Sequence, residues 1–246
     1  PETPNAGKAL SIGGTLNNLN PVTQGIGKAD VTVIDPRTNS FSNTPSMAYP
    51  RWYPAAVTLL NKETLVLGGR RAPSSNENGM LIKQEVASTP EVRGIDGNWR
   101  TLANTTSNEA YGLSNGSWYY PQAWIHPRGG VFILTHNTAM FHLNPTGAGT
   151  LSKYTNNVEA SSQLLASIMY EQGKILSIRN GRRAVLIDIN TPNTIDNPVI
   201  RDTGYLQKDR KYGSLTVLAD GSVWAHGGGS DVIQADTLSI TNAYNG

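Results

Sequence analysis

The strongest constraint on the fold of this chain is a segment that occurs twice. It begins at Arg51-Trp52-Tyr53-Pro54 and ends at Gly68-Gly69, and it returns from Arg210-Lys211-Tyr212-Gly213 to Gly227-Gly228. In both copies the first glycine follows the tyrosine by 15 residues. Two short apolar runs joined by a turn lie between them, which is typical of a β-hairpin. A recurrence of this kind predicts a fold assembled from repeated β units.

Looser copies extend the repeat over most of the chain. A third begins at Trp118-Tyr119-Tyr120-Pro121 and leads through a turn to a strand at residues 131–134, and a fourth covers residues 163–178. Residues 7–14 have the pattern of the second half of another copy. Successive copies lie roughly 45 to 65 residues apart, close to the period of about 50 of kelch-type propeller blades.

The segments around these copies complete the predicted blades. We predict strands at residues 29–35, 80–86, 139–145 and 184–189, the last as an outer strand, and a polar loop at residues 70–79. Asp35 and Asp188 end two of these strands and are predicted to form Asx turns. No segment holds a helical stripe of apolar residues over three turns.

Composition favours many short strands and excludes several classes of function. Only 15% of the residues are charged, and 25 glycines and 14 prolines are present, which is typical of strands joined by tight turns. The net charge of +2 comes without a basic run, so we expect no nucleic-acid partner. The sequence contains no cysteine, which excludes a zinc-thiolate site and a thiol nucleophile within it. No apolar stretch approaches the roughly 18 residues of a membrane-spanning helix.

These patterns together predict an all-β fold, a kelch-type β-propeller. We expect residues 1–246 to be a single propeller segment with about five blade units, beginning and ending inside a blade. An open array of β-sandwiches is the alternative fold. Because a propeller must close to protect its edge strands, we expect the segment to belong to a larger ring or its ends to pair with each other.

The tyrosine-headed segments resemble the radical copper oxidases, the family of galactose oxidase and glyoxal oxidase. Arg51-Trp52-Tyr53-Pro54 with Gly68-Gly69 and Arg210-Lys211-Tyr212 with Gly227-Gly228-Gly229 carry the likeness. Trp118-Tyr119-Tyr120-Pro121, followed by a Pro-Arg-Gly-Gly turn, looks like the same propeller. The resemblance implies a seven-bladed ring, a C-terminal β-sandwich domain and a copper ion at the propeller axis.

The same resemblance implies roles for two tyrosines and shows where the chain departs from the family. Tyr53 matches the copper ligand that is cross-linked to a cysteine and used as a radical, and Tyr212 matches the axial tyrosine. Gly213 occupies the position of the histidine ligand, and the position of the cysteine falls before Pro1. The second histidine belongs to the C-terminal domain. Copper is therefore possible but is not expected to bind this chain alone.

Chemical reasoning leaves structural alternatives open for the candidate residues. Tyr53 and Tyr212 could instead line the axis with their hydroxyls on a neighbouring strand end. Arg51 and Arg210 are candidate binding residues, and the simpler alternative is that each bonds carbonyls or a carboxylate of the next blade. The four histidines have no metal-site spacing. Among them, His126 precedes a turn and is expected to be solvated.

The function that we expect is recognition of a glycan or a surface protein, outside the cell or at its surface, without radical copper chemistry. Trp118, Tyr119, Tyr120 and Trp124 could stack on sugars, although packing between blades would explain two of them equally well. One alternative is an oxidase of primary alcohols or aldehydes that produces hydrogen peroxide through Tyr53. The other is a structural module of a larger assembly.

Overall fold

The computed structural model describes residues 7–15, 26–75, 81–161 and 165–229. These residues form several antiparallel sheets, none of them closed, one α-helix of a single turn, α1 (Asn108–Tyr111), and two short 3-10 helices (Ala103–Thr105 and Ser114–Gly116). The chain divides into two compact units. The first unit comprises residues 1–123 and 143–151, and the second comprises residues 124–142 and 152–246. None of the described helices is long and apolar enough to cross a lipid bilayer.

The strands are short throughout, as repeated turns require. In chain order they are β1 (Ala9–Ile12), β2 (Val31–Asp35), β3 (Ser40–Thr44), β4 (Ala55–Thr58), β5 (Thr64–Leu67), β6 (Arg70–Ser75), β7 (Leu81–Val86), β8 (Glu91–Arg93), β9 (Trp99–Thr101), β10 (Gln122–Ile125), β11 (Val131–Leu134), β12 (Met140–Asn144), β13 (Thr150–Lys153), β14 (Ser167–Glu171), β15 (Lys174–Arg179), β16 (Arg183–Asp188), β17 (Val199–Tyr205), β18 (Ser214–Val217) and β19 (Val223–His226).

Each sheet is built from strands that are close in sequence. Strands β1, β2 and β3 form a three-stranded sheet, and β10–β13 and β14–β17 form four-stranded sheets in chain order. A further four-stranded sheet has the order β4-β5-β8-β9, with β6 and β7 inserted as a separate hairpin. The remaining pair, β18 and β19, is two-stranded within the described residues. Hairpin connections of this kind produce antiparallel neighbours.

Each unit has an apolar cluster of its own. In the first unit Val31, Met47 and Val66 are buried together, and Trp99 packs against them. The second unit contains a larger cluster, formed by Phe132, Leu134, Met140, Tyr154, Val158, Ile175, Val185, Ile187 and Ile189. All four residues of β11 are fully buried. Its uninterrupted apolar sequence therefore marks a strand that is covered on both faces.

Most of the predicted strands are confirmed by the structure. The predictions at residues 29–35, 131–134 and 139–145 correspond to β2, β11 and β12. The predicted Asx turns are present as well, because Asp35 accepts a hydrogen bond from Arg37 N at 3.0 Å and Asp188 accepts one from Asn190 N at 2.9 Å. The fourth copy was predicted to begin at residue 163, outside the described residues, and its strand β14 begins at Ser167.

Two predictions about sheet order were wrong. Residues 70–75 of the predicted loop form β6, which pairs with the predicted strand at 80–86, now β7, as an inserted ribbon. The third strand of that sheet is instead the three-residue β8, which is too short to give a period-2 pattern. The predicted outer strand at 184–189 corresponds to β16, and the outer position belongs to β17, whose side chains are mostly exposed.

Candidate functional site

The tyrosines at the head of three repeats share an uncommon backbone conformation. The φ angles of Tyr53, Tyr120 and Tyr212 are 60°, 46° and 59°, in the left-handed region that bulky residues rarely adopt. Two residues after each tyrosine, the first strand of a sheet begins, at β4, β10 and β18. The three segments are thus equivalent in conformation, as the sequence repeat predicted.

The glycine pair after β5 allows the backbone to approach a neighbouring segment closely. Gly68 and Gly69 have φ angles of 62° and 92°, and Gly69 N donates a hydrogen bond to Trp118 O at 2.8 Å. A Cβ atom on Gly68 would lie 2.5 Å from Pro121 Cγ, which is too close for any side chain. Glycine at this position therefore brings the Trp118 segment against the Tyr53 segment.

Five aromatic rings meet where these segments touch, and we call them the aromatic cluster: Trp52, Tyr53, Trp118, Tyr119 and Tyr120. The ring of Tyr53 stacks on Trp52 at 4.3 Å and lies 4.6 Å from Tyr119 and 4.9 Å from Tyr120. Tyr119 is also 5.2 Å from Trp118. The main chain joins the cluster through Tyr120 N, which donates to Tyr53 O at 3.1 Å.

The cluster is accessible to solvent and carries polar groups at its edge. Tyr120 is 47% exposed, and the other four rings are half-buried. Burial, together with the nearby phenol of Tyr53, raises the pKa of Tyr120. Like other tyrosine hydroxyls, that of Tyr120 is protonated at neutral pH and can donate a hydrogen bond. Arg70 adds a positive charge, with its Cζ 5.8 Å from the centre of the Trp52 ring.

Arg51, the residue before Trp52, is fully buried beneath the aromatic cluster's first segment. Its guanidinium forms an ion pair with Glu91 at 2.9 Å and donates to Gly68 O at 2.6 Å and Thr89 O at 2.7 Å. Burial lowers the pKa of Arg51, and the carboxylate of Glu91 opposes that shift. These partners belong to the β4-β5-β8-β9 sheet that follows Arg51 and to the segments flanking its strands, whereas the expected contact was with the next blade. With no exposed surface, Arg51 is placed to hold the strand ends and not to touch a ligand.

Arg210 repeats part of this arrangement in the second unit. Its Nη1 donates to Gly227 O at 2.8 Å, in the same relation that Arg51 has to Gly68. Tyr212 is 64% exposed in that unit. A Cβ atom on Gly213 would lie 3.0 Å from Arg210 O, so a larger residue here would require the turn to shift. Local packing therefore agrees with glycine in place of the histidine that the family resemblance implies.

Trp124 does not belong to the aromatic cluster. Its ring stacks on Phe132 at 6.4 Å and packs against the apolar cluster of the second unit. Trp124 is thus a packing residue, whereas the rings of Trp118, Tyr119 and Tyr120 are neighbours in the cluster, and their role in stacking on a sugar stays a prediction. Sequence reasoning did not nominate Trp52 and Arg70. The signal was present, because Trp52 precedes Tyr53 as Tyr119 precedes Tyr120.

The prediction that His126 is solvated was wrong, since this residue is fully buried. Its Nδ1 accepts a hydrogen bond from Arg128 N at 3.1 Å, and its ring meets the ring of His142 edge-on at 5.3 Å. Burial, then the neighbouring His142 and Arg128, lowers the pKa of His126 to about 4. The turn after β10 is thus built around a neutral imidazole.

The donor groups around Tyr53 do not fit a copper ion within the described part of the chain. Copper(II) takes nitrogen and oxygen ligands in a tetragonal site, with imidazole as its usual nitrogen donor. The ring neighbours of Tyr53 are Trp52, Tyr119 and Tyr120. Among the residues that the structure describes, no three histidine, cysteine, aspartate or glutamate side chains come close enough together to hold a metal.

Comparisons with known proteins support a common fold. The structure is similar to a fungal alcohol oxidase of the AA5 family in complex with copper, with a TM-score of 0.68 at 16% identity over 83% of this chain and 44% of that one. It is also similar to the protein YjhT, with a TM-score of 0.57 at 11% identity over 81% of this chain and 66% of that one. The chain thus spans less than half of the oxidase. No model of a known protein family matches the sequence, and no curated protein matches it either.

Proposed function

We propose that the chain is part of a galactose oxidase-like, kelch-type β-propeller that binds glycans through the aromatic cluster. The observation that carries this proposal is the group of five partly exposed rings, whose neighbouring centroids lie 4.3 to 5.2 Å apart. The apolar faces of sugars pack well on aromatic faces, and tyrosine hydroxyls can bond the sugar hydroxyls at the rim. A glycan at the cell surface or outside the cell is the partner that suits such a surface.

The orientation of the rings is held by the main chain, which favours binding. Left-handed backbone at Tyr53 and Tyr120 and the bond between Tyr120 N and Tyr53 O fix the positions from which the rings project. Less freedom is then lost when a ligand binds. A surface protein could use the same rings, and binding of such a protein without any glycan would replace this proposal.

A glycan array, followed by calorimetry with the best glycan, tests the proposal. The variant Tyr120→Asn removes an exposed ring while keeping a residue that tolerates left-handed backbone. We expect it to weaken binding by about tenfold, which corresponds to about 1.4 kcal/mol. Tyr205→Ala, which removes an exposed ring of the second unit, is the control and should leave affinity unchanged. An array without any signal would refute glycan binding.

The competing proposal is a copper radical oxidase of alcohols or aldehydes, and the likeness to a copper-containing alcohol oxidase favours it. It would need the cysteine and the imidazole ligands from sequence outside these residues. Copper loading followed by metal analysis and a peroxide assay with galactose, glycerol and glyoxal separates the two. One bound copper per chain together with peroxide production would establish the oxidase.

A further inference from the structure

Arg70 lies at the border of the aromatic cluster. It begins β6, and its main chain forms two hydrogen bonds with Trp52, each 2.8 Å long. Its guanidinium carbon lies 5.8 Å from the centre of the Trp52 ring. Because Trp52 in turn stacks on Tyr53 at 4.3 Å, the charge and the five rings form one continuous surface.

The charge of Arg70 is not compensated within the described part of the chain. Several other arginines there are paired with carboxylates, among them Arg51 with Glu91, Arg100 with Glu63, and Arg183 with Glu159 and Asp202. Arg70 has no ion pair with the described residues, and its buried Nε has no hydrogen-bond partner; its neighbour Arg71 shares both features. What distinguishes Arg70 is its place beside the aromatic cluster, where an uncompensated guanidinium can bind an anion.

The shape of the guanidinium decides which anion would fit. Arg70 lies within cation–π distance of Trp52, with its Cζ 5.8 Å from the ring centre, and its donors form a planar fork. A carboxylate matches such a fork with two parallel hydrogen bonds. A sugar ring that carries a carboxylate could pack its apolar face on the rings and place its acid group on Arg70.

We infer that the ligand of the aromatic cluster is an acidic glycan, and that Arg70 binds the carboxylate of a uronic-acid residue in it. This inference rests on the proposed glycan binding and specifies its ligand class. Arg71 is the natural comparison, because it is the next residue of the same strand and has a different aromatic neighbour. Its Cζ lies 5.0 Å from the ring centre of Tyr49, which is not part of the cluster.

The test uses a trimer of galacturonic acid and its fully methyl-esterified form, which share sugar rings and differ in charge. We expect the acid to bind about tenfold more tightly at low salt, and Arg70→Gln to remove that preference while ester binding is kept. Arg71→Gln should retain the preference. Arg70→Lys should restore only part of it, because lysine lacks the planar fork.

The possible outcomes distinguish a failure of this inference from a failure of the proposed glycan binding. If the acid and the ester bind with equal affinity, and Arg70→Gln does not change either affinity, the inferred contact between Arg70 and a carboxylate is wrong. Glycan binding itself would still stand. If neither trimer binds and the glycan array is silent, the proposed function itself fails. Equal loss of preference in Arg70→Gln and Arg71→Gln would show a general charge effect and would also overturn the inference. Circular dichroism and thermal melting verify that each variant is folded.

Discussion

Individual residues in the chain repeat their conformation more faithfully than their contacts. Tyr53 and Tyr212 share φ angles within a degree of each other, at 60° and 59°, yet Tyr53 is half-buried among rings and Tyr212 is 64% exposed. Arg51 and Arg210 both bond the carbonyl of the first glycine, but within the part of the chain that the structure describes only Arg51 also has a buried carboxylate partner. The same local sequence therefore forms a half-buried site above a buried ion pair in one repeat and an exposed turn in the other.

Removal of the Arg51 guanidinium should be far more damaging than removal of its counterpart. Arg51→Met leaves Glu91 buried without its ion pair, and breaking a buried pair costs about 3 to 5 kcal/mol. Arg210→Met loses one hydrogen bond at an exposed site, worth about 1 kcal/mol. Urea denaturation monitored by tryptophan fluorescence measures both free energies of unfolding. Equal losses in the two variants would contradict the structural role assigned to Arg51.

His126 should make the second unit sensitive to mild acid. Its pKa is lowered from 6.5 to about 4 in the folded protein, so only the unfolded chain takes up this proton between those values. The stabilising contribution is therefore complete above about pH 6.5 and is lost as pH falls toward 4, by up to about 3 kcal/mol.

Denaturation with urea at a series of pH values between 7 and 4.5 measures this loss. His126→Gln should flatten the pH dependence, whereas His226→Gln should preserve most of it, because His226 lies at an exposed bond to Thr216. A slope that is unchanged in His126→Gln would show that other groups cause the acid sensitivity.

At the level of strands and turns, glycine and Asx residues set where each hairpin reverses. Gly173 turns β14 into β15 with a φ angle of 72°, and the side chain of Asn190 closes over it by donating to Gln172 O at 2.9 Å. Asp188 in turn holds Asn190 N at 2.9 Å. The β14–β15 turn and the end of β16 are thus linked by side-chain bonds to the main chain.

This arrangement predicts a measurable coupling between Gly173 and Asn190. A Cβ atom on Gly173 would lie 2.6 Å from Asn190 Oδ1, so Gly173→Ala should cost about 2 to 3 kcal/mol through left-handed strain and the displaced amide. Asn190→Ala should cost about 1 kcal/mol. The double variant should cost less than the sum, because the clash disappears. Additive losses in a double-mutant cycle of unfolding free energies would show that the two residues act independently.

For the whole molecule, the structure shows several antiparallel sheets and two compact units, each with its own apolar cluster. This agrees with the predicted all-β class, and the likeness to the copper alcohol oxidase supports the same fold. That these sheets are blades of a closed propeller ring remains a proposal. The copper position implied for Tyr53 and Tyr212 likewise stays a prediction, because the two tyrosines belong to different units.

The sequence by itself determined the repeated elements, because their signals are local. Tyrosine, the turn and the glycine pair recur at fixed spacing, and each strand with a clear apolar run was found. The strand β6, its pairing with the predicted strand β7 outside the main sheet, and the strand β8 could not be predicted, because strand order depends on pairing between segments and not on local pattern.

Only the tertiary structure decided which residues form the candidate site. Packing at Gly68 brings Tyr119 and Tyr120 onto Tyr53, although 66 residues separate Tyr119 from Tyr53 in the sequence. Packing likewise buries Arg51 and leaves Arg70 without a carboxylate among the described residues. Burial and charge compensation arise between segments that are far apart in the chain, so no local pattern could show that one arginine is a support and the other a free charge.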